Sequence, residues 1–515
     1  MDHLPEALYR AADTRAADQR AASEYGLAGG VLMECAGSVA FALLRERFPR
    51  ARRITVVCGP GNNGGDGYVL ARLAKEAGLT ATVLSPASTA GVQAHPTTAD
   101  GEADTFGLKG GAAAARDAWR SAGGTVQPLA VAPLQACDVI IDALFGTGLE
   151  HPLEGEWRVA IETMNASGRP IFAIDIPSGL HTDSGRILGA AVRAALTLSF
   201  IGLNAGLFTG QGREHSGLIL FDDLGVPDTV FAGVTPLARR ITQRNLYGLL
   251  TPRTRHAHKG EAGHVLVVGG QHGMPGAVRL AGEAAYRAGA GLVVLATHPV
   301  HAASIGAARP ELIVYGVHDA QAIQPLLAGA RALAVGPGLG QGEWGHALWQ
   351  EALAADKPLV VDADALNLLA AQPSSRTDWV LTPHPGEAAR LVGVSVADVQ
   401  SDRFAAARAI AQRYGGVCVL KGSGTLVNSH GDSSMWLCDH GNPGLATGGS
   451  GDVLTGVIAA LLAQGLAPID AARLAVWAHA SAGDRVATTG ERGIMASDLL
   501  APLRDVINSI VTNAA

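Results

Sequence analysis

Cysteine is scarce in this chain of 515 residues: Cys35, Cys58, Cys137, Cys418 and Cys438 lie far apart and never form a C-x-x-C pair. An odd, scattered set excludes a disulfide framework and a zinc cage, and it fits a reducing cytoplasm. Aromatic residues make up only 5%, and 39 Lys and Arg against 46 Asp and Glu give a net charge of −7 with no basic cluster. A nucleic-acid partner is thereby excluded, because a phosphate backbone demands a basic face. No segment reaches the roughly 18 uninterrupted apolar residues that a membrane span requires. Residues 1–25 lack the apolar core of a signal peptide and instead alternate charge and alanine at helical spacing. A cytoplasmic protein off the membrane, with small molecules as partners, is expected. No repeat period is present, which excludes a solenoid.

What the chain has in quantity is glycine, 66 residues, within a 48% apolar composition. That balance suits α/β domains with parallel sheets, where small aliphatic residues fill the layers and glycine shapes the strand-to-helix turns. The length is too great for one ordinary core, and two domains are expected, residues 1–235 and 236–515, with the boundary between Pro227 and Thr251. Helical patterns over 6–23 and 30–47 precede a first strand at 54–58. ITVVC, VIIDA and IFAID then each run into a polar turn at a strand's carboxyl end, the edge where open parallel sheets bind ligands. Residues 85–107 are small, polar and aperiodic, and are expected to form a surface loop. The second half supplies further strands in HVLVV, GLVVLAT, ALAVG, PLVVDADALN, WVLTPHPGE and VCVLKGSGTLV.

The most informative stretch is NPGLATGGSGDVLTGVIAALLAQG, residues 442–465. A glycine-rich turn opens an apolar helix, whose first N–H groups are unpaired and attract a phosphoryl group. Asp452 stands where a substrate hydroxyl would meet that phosphate, as a general base, although a simple helix cap would use the same residue types. In GPGNNGGDG, residues 59–67, Asn62, Asn63 and Asp66 offer side-chain oxygens while the glycines expose N–H groups. The run is not the dinucleotide fingerprint, which would need glycine at Asn63. Asp142 and Asp175 end apolar strands. There they either cap the next turn or, with Asn63 and Ser178, form an all-oxygen set for a hard cation. In HAHK, His256 and His258 lack a third ligand at zinc spacing, and Trp344 and Trp349, five apart, are expected to pack and not to stack bases.

LMECAG, GPGNNGGDGYVLARLAKEAG, DALFGTGL, AIDIPSGL and GLFTGQGREHSGLILFDDLGVP, in this order, resemble the NAD(P)H-hydrate epimerase domain. GPGLG, LVVDADALN, LTPHPGEAARL, KGSGT and the 442–465 stretch resemble the ADP-dependent NAD(P)H-hydrate dehydratase, a ribokinase-like enzyme. The resemblance implies a Rossmann-like three-layer αβα domain followed by a ribokinase-like α/β domain, fused as in the bifunctional repair arrangement.

For the first domain it implies substrate binding by Asn62, Asn63, Gly64, Gly65 and Asp66, by Gly146, Thr147, Gly148, Leu149, Glu150, His151 and Pro152, and by Asp175. Asp175 would be the catalytic carboxylate, and Asn63, Asp142 and Ser178 would hold potassium. For the second it implies catalysis by Asp452 and substrate contacts from Ala277, Gly338, Gly340 and His384. ADP would lie against Lys421, Gly422, Ser423, Gly424 and Thr425 and against Gly449, Ser450 and Gly451, with Glu387 serving a magnesium ion. His384 as a satisfied turn residue, and Asp362 and Asp364 as caps or as metal support, remain open. A homo-oligomer is expected. The rival reading is a ribokinase-like kinase of a vitamin precursor, since the GSGD anion site is common to that superfamily.

Overall fold

The structure, a computed structural model, describes residues 4–27, 29–86 and 110–511. The expected loop at 87–107 lies outside them, and Ser85 closes a strand, Thr80–Ser85. The chain divides into two compact units, Met1–Ala238 and Arg239–Ala515.

The first unit carries a parallel seven-stranded sheet in the order Val126–Pro128, Thr80–Ser85, Arg53–Cys58, Val139–Ala143, Ile171–Ile174, Leu196–Phe200, Leu218–Asp222. Alternation along each strand builds the layers. Val56 and Ile141 face a core with Leu44, Tyr68 and Trp119, while Val57 and Ile140 face another with Trp157, Ile161 and Met164. Chain order reverses between Arg53–Cys58 and Val139–Ala143, the switch point of a Rossmann-like sheet, so the turns after these two strands frame a ligand crevice. The first helix runs Ala11–Tyr25, not from residue 6, because Arg10 is extended and its N–H is taken by Asp13 Oδ2 at 3.1 Å.

The second unit has a mixed sheet that includes, in order, Met435–Cys438, Thr425–Ser429, Val417–Leu420, Trp379–Leu381, Leu359–Val361, Ala332–Val335, His264–Val268, Leu292–Thr297 and Ile313–Gly316. All neighbouring pairs from Val417–Leu420 to Ile313–Gly316 are parallel, and the two pairs beyond Val417–Leu420 are antiparallel. Three expected strands are shorter than their motifs. Only LVV of PLVVDADALN is strand, and helix Ala363–Ala371 starts behind Asp362. Pro385 opens a helix in TPHPGE, and KGSG is a turn between antiparallel strands, the second of which starts at Thr425. The apolar helix Ser450–Ala463 is buried along most of its length against Pro275–Arg287 and Pro468–Val486. Among the described residues no single helix is long and apolar enough to cross a membrane.

Arg240, the second residue of the second unit, is tied to its sheet. Its guanidinium meets Asp439 Oδ2 at 2.7 and 2.9 Å, both side chains being 2% exposed. A chain starting at residue 245 loses that partner and buries a lone carboxylate. It is expected to be about 3 kcal/mol less stable than one starting at residue 236, read from urea midpoints; equal midpoints would show that the pair contributes nothing.

Candidate active sites

In the first unit the turn after Arg53–Cys58 enters helix Asn62–Glu76 at once, placing Asn63 inside the crevice. Asn63 is 6% exposed, yet neither its Oδ1 nor its Nδ2 has a hydrogen-bond partner. A buried amide left open on both atoms is costly unless a ligand completes it. Asp142, fully buried at the end of Val139–Ala143, accepts from Ser178 Oγ at 2.7 Å, Ser178 N at 2.8 Å and Leu144 N at 3.3 Å. Burial nonetheless lifts its carboxyl to about 6, and none of the ion pairs among the described residues reaches it. Asp175 accepts from Thr147 N at 3.0 Å and is also raised to about 6 by burial. Its φ of 71° is a left-handed conformation rare outside glycine, the kind of local strain that concentrates at functional sites. Glycine at 146 leaves room for that carboxylate, since a Cβ there would stand 2.5 Å from Asp175 Oδ2 and force it to shift.

The structure brings Asn63, Gly146, Asp142, Ser178 and Asp175 together around one crevice, with Asp66 beside them. Burial, then the charges of Asp175 and Asp18, raises Asp66 well above the ordinary carboxylate range. Asp18, on helix Ala11–Tyr25, was not foreseen. It keeps solvent contact, but crowding by protein and then the Asp175 charge push it up to about 7. Nothing in its local sequence marks it, since it sits in an alanine-rich helix and reaches the site only through the fold. The downstream half of the 146–152 segment makes contacts of its own. Leu149 packs against the Trp157 cluster, Glu150 lies 3.9 Å from Arg15 and 3.6 Å from His181, and His151 and Pro152 are exposed.

In the second unit the charged centre is Asp362, 1% exposed at the end of Leu359–Val361. It accepts from Thr382 Oγ1 and Thr455 Oγ1, each at 2.8 Å, and from Lys421 Nζ at 2.9 Å. Burial would raise this carboxyl, but the Lys421 ammonium and the two hydroxyls outweigh it and hold it below its ordinary value. Lys421 is in turn held above its own, burial being outweighed by Asp362, Glu387 and Asp452. The first turn of Ser450–Ala463 lies against this pair: a Cβ on Gly451 would be 3.3 Å from Lys421 Nζ. Gly449 caps that helix at φ 90° with no side-chain cap, so Asp452, third in the helix, is not spent on capping. Burial first, then the Asp362 charge, lifts Asp452 to about 7 against the pull of Lys421.

The remaining expected residues are held in different ways. Ala277 and Gly338 are neighbours, and Gly340 N donates to Asp364 Oδ2 at 2.8 Å, which gives Asp364 a loop-holding task. His384 is occupied as a cap: its Nδ1 accepts from Gly386 N at 2.9 Å, while Glu387 Oε2 accepts from His384 N at 2.7 Å. Glu387 is raised to about 7, chiefly by burial, with Lys421 opposing. Thr425 Oγ1 closes the KGSGT turn on Gly422 O at 3.0 Å. The turn wraps around buried Arg403, whose Nη2 donates to the Leu420, Lys421 and Gly424 carbonyls at 3.3–3.4 Å. Arg403 and His479, which bonds Ser450 O at 3.0 Å, were missed because they lie outside the motifs they support, and Thr382 and Thr455 because each acts on Asp362, in a motif other than its own. Trp349 is fully buried, and Trp344 Nε1 donates to Val317 O at 2.9 Å.

Two family models match the chain: NAD(P)H-hydrate dehydratase over residues 265–504 and YjeF-related protein N-terminus over residues 29–206. The chain is 45% identical to the bifunctional NAD(P)H-hydrate repair enzyme Nnr of Coxiella burnetii, over 95% of this chain and 97% of that protein. It is 43% identical to the enzyme of the same name from Escherichia coli, over 99% and 96%. Among solved structures, an ADP/ATP-dependent NAD(P)H-hydrate dehydratase from Bacillus subtilis, co-crystallised with ATP and Mg2+, is 32% identical. The match covers 52% of this chain and 97% of that one, with a TM-score of 0.46. With relatives matched along nearly their whole length and each unit matched by its own model, the chain belongs to the bifunctional NAD(P)H-hydrate repair enzymes.

Proposed function

We propose that Asp175 and Asp452 are the catalytic carboxylates of two separate sites, one in each unit. As a bifunctional NAD(P)H-hydrate repair enzyme the chain interconverts the R and S hydrates and dehydrates the S form to NAD(P)H at the expense of ADP, giving AMP and phosphate. The observation that carries the second site is Asp452, uncapped and raised to about 7, beside Lys421 at a helix N-terminus. A base with that pKa is half ionised near neutrality. It takes the proton from the ring hydroxyl, whose oxygen forms a bond to the β-phosphorus of ADP as the bond to AMP breaks. Lys421 and the N–H groups of 450–452 stabilise the charge on the transferred group. The C–O bond then breaks with phosphate as leaving group as the ring nitrogen's lone pair forms a C=N bond to the vacated carbon, and loss of a proton from the adjacent ring carbon to the departing phosphate restores the ring double bond of NAD(P)H.

ADP lies along 421–425 in this reading, and Ala277, Gly338, Gly340 and His384 Nε2 face the hydrate. Magnesium would be held by the ADP phosphates, with Glu387 serving its water shell, and would neutralise phosphate charge. Among the described residues no three His, Cys, Asp or Glu side chains could hold a metal by themselves, so the ion would arrive with the nucleotide.

In the first unit Asn62 to Asp66, the 146–152 segment and Asp175 receive the hydrate. The hydroxyl sits on the carbon next to the ring nitrogen, so a protonated carboxyl lets it leave as water. Water then returns to the other face while a carboxylate takes its proton. Asp175, at about 6, exchanges protons readily for both steps. Potassium fits the set Asn63, Asp142 and Ser178: the donors are all oxygen, Asn63 Oδ1 is open, and Asp142 is buried without a cationic partner. The five free cysteines accord with a cytoplasmic setting. A homo-oligomer is expected, to be read by light scattering.

Asp452→Asn should abolish dehydration while R and S hydrates still interconvert, and Asp175→Asn should do the reverse, leaving prompt recovery of the S fraction and a lagging R fraction. Retention of more than about a tenth of the wild-type kcat, a loss of only ~1.4 kcal/mol, would make either residue a binding group. Because the base must be ionised, kcat/KM for the S hydrate should fall as pH drops through about 7. A profile flat to about pH 5 counts against Asp452 as base.

Replacing potassium by a bulky organic cation should slow epimerisation and lower the melting temperature of the first unit. Asp142 has a folded-state pKa of about 6, above its ordinary 3.8, so its ionisation opposes folding at neutral pH and is relieved as pH falls. The potassium effect should therefore be present above pH 6 and fade below it. An effect equal at both ends would point to a site other than Asp142.

A further inference from the structure

A hydrated dinucleotide extends well beyond the nicotinamide ring that reacts at Asp452. If ADP takes the 421–425 side, the rest of the substrate leaves along the opposite rim, past Gly338 and Gly340. The contacts there run on without a break. A Cβ on Gly338 would stand 2.8 Å from Met274 Cβ, and one on Gly340 would stand 2.1 Å from Gln271 Oε1. Next to Gln271 begins a group of rings that neither the fold nor the chemistry above has used. His272 and His298 have ring centres 5.8 Å apart, His301 lies 6.0 and 6.1 Å from them, and Trp344 meets His298 edge-on at 5.9 Å.

The group is placed to receive an anion. His298 caps helix Pro299–Ala308, and the N-termini of Pro275–Arg287 and Glu343–Ala354 open on the same carboxyl edge of the sheet. His298 Nδ1 is buried without a hydrogen-bond partner. Burial and the imidazoles of His272, His301 and His318 keep His298 below its ordinary pKa, a repulsion that a bound anion would relieve. His301 is already occupied, its Nε2 lying 3.1 Å from Gly273 N and 3.2 Å from Gln271 O, so it fixes the loop that carries His272. Among the described residues no three His, Cys, Asp or Glu side chains form a metal-holding group, which removes the commonest alternative for clustered histidines.

We propose that His272 and His298, backed by Trp344, form the subsite for the pyrophosphate bridge of the hydrated dinucleotide in the dehydratase unit. Imidazole N–H groups donate to the phosphate oxygens, and the rings border the path toward the adenosine end. This rests on the reading of Asp452 and 421–425 given above.

The test is steady-state dehydration of two substrates by the full chain: the S hydrate of NADH and that of reduced nicotinamide mononucleotide, which has no pyrophosphate bridge. His272→Ala should raise KM for the dinucleotide about tenfold, with kcat and the KM for ADP little changed and no comparable rise for the mononucleotide. His298→Gln should repeat the pattern. An equal effect on both substrates, or none on the dinucleotide, overturns the subsite and leaves the rings as packing around Trp344. Asp452→Asn run beside them separates the two readings. If it is inactive on both substrates while His272→Ala is flat, the subsite alone fails; if it stays active, the site reading fails first.

Discussion

The buried Asp362 carboxylate is the constraint on which the dehydratase unit turns. Its hydrogen bonds reach Thr382 behind one strand, Lys421 behind another and Thr455 in the helix carrying Asp452. A charge so deeply buried would be prohibitive alone; paired and triply hydrogen-bonded, it fixes the relative positions of the elements that contribute to the site. It also sets the electrostatics. Asp362 holds Lys421 charged, and after burial it is the largest influence raising Asp452. One carboxylate thus keeps the cation in place for a phosphoryl group and makes its neighbour basic enough to take a proton near neutrality.

The two units solve a similar problem with different counter-charges. Each places a carboxylate at a strand's end or a helix's start on the ligand edge of a parallel sheet, and in each burial dominates the rise in pKa. The dehydratase unit balances its acidic groups with a built-in lysine. In the first unit Asp18, Asp66, Asp142 and Asp175 are all raised, and the cation that would complete Asp142 has to come from solution. That difference matches the chemistry. Phosphoryl transfer needs a fixed positive charge at every turnover, whereas loss and return of a hydroxyl needs carboxyls that exchange protons easily, which burial supplies without a fixed cation.

What was legible in the sequence is what local chemistry writes locally. Glycine-rich turns at strand ends announce ligand edges, and the apolar run after Asp452 announces a buried helix; both are where the motifs put them. Asp142 and Asp175 stood out because a carboxylate ending a run such as VIIDA has to be explained. Asp18, Thr382, Arg403 and His479 could not be seen this way, since each acts across a sequence distance on a motif that is not its own. Strand lengths failed for a related reason. Apolar letters in PLVVDADALN and VCVLKGSGTLV continue past the strand, and only the backbone turn at Asp362 or around Arg403 decides where it stops.

The first unit carries a cost that its function explains. Raising Asp142 from 3.8 to about 6 means that ionising it at neutral pH opposes folding by about 3 kcal/mol. Asp175 adds a backbone conformation worth about 1–3 kcal/mol of strain. Neither is needed to close the sheet: the strands are buried on both faces, and the core beneath them is apolar. A neutral side chain at either position would relieve the fold, which accords with the binding roles proposed for these residues. A cation beside Asp142 would turn its ionisation from a penalty into an attraction, and a hydrate against Asp175 would use the proton that burial makes easy to exchange. Stability and activity are thus set by the same groups, and the occupied crevice is the state in which both are satisfied.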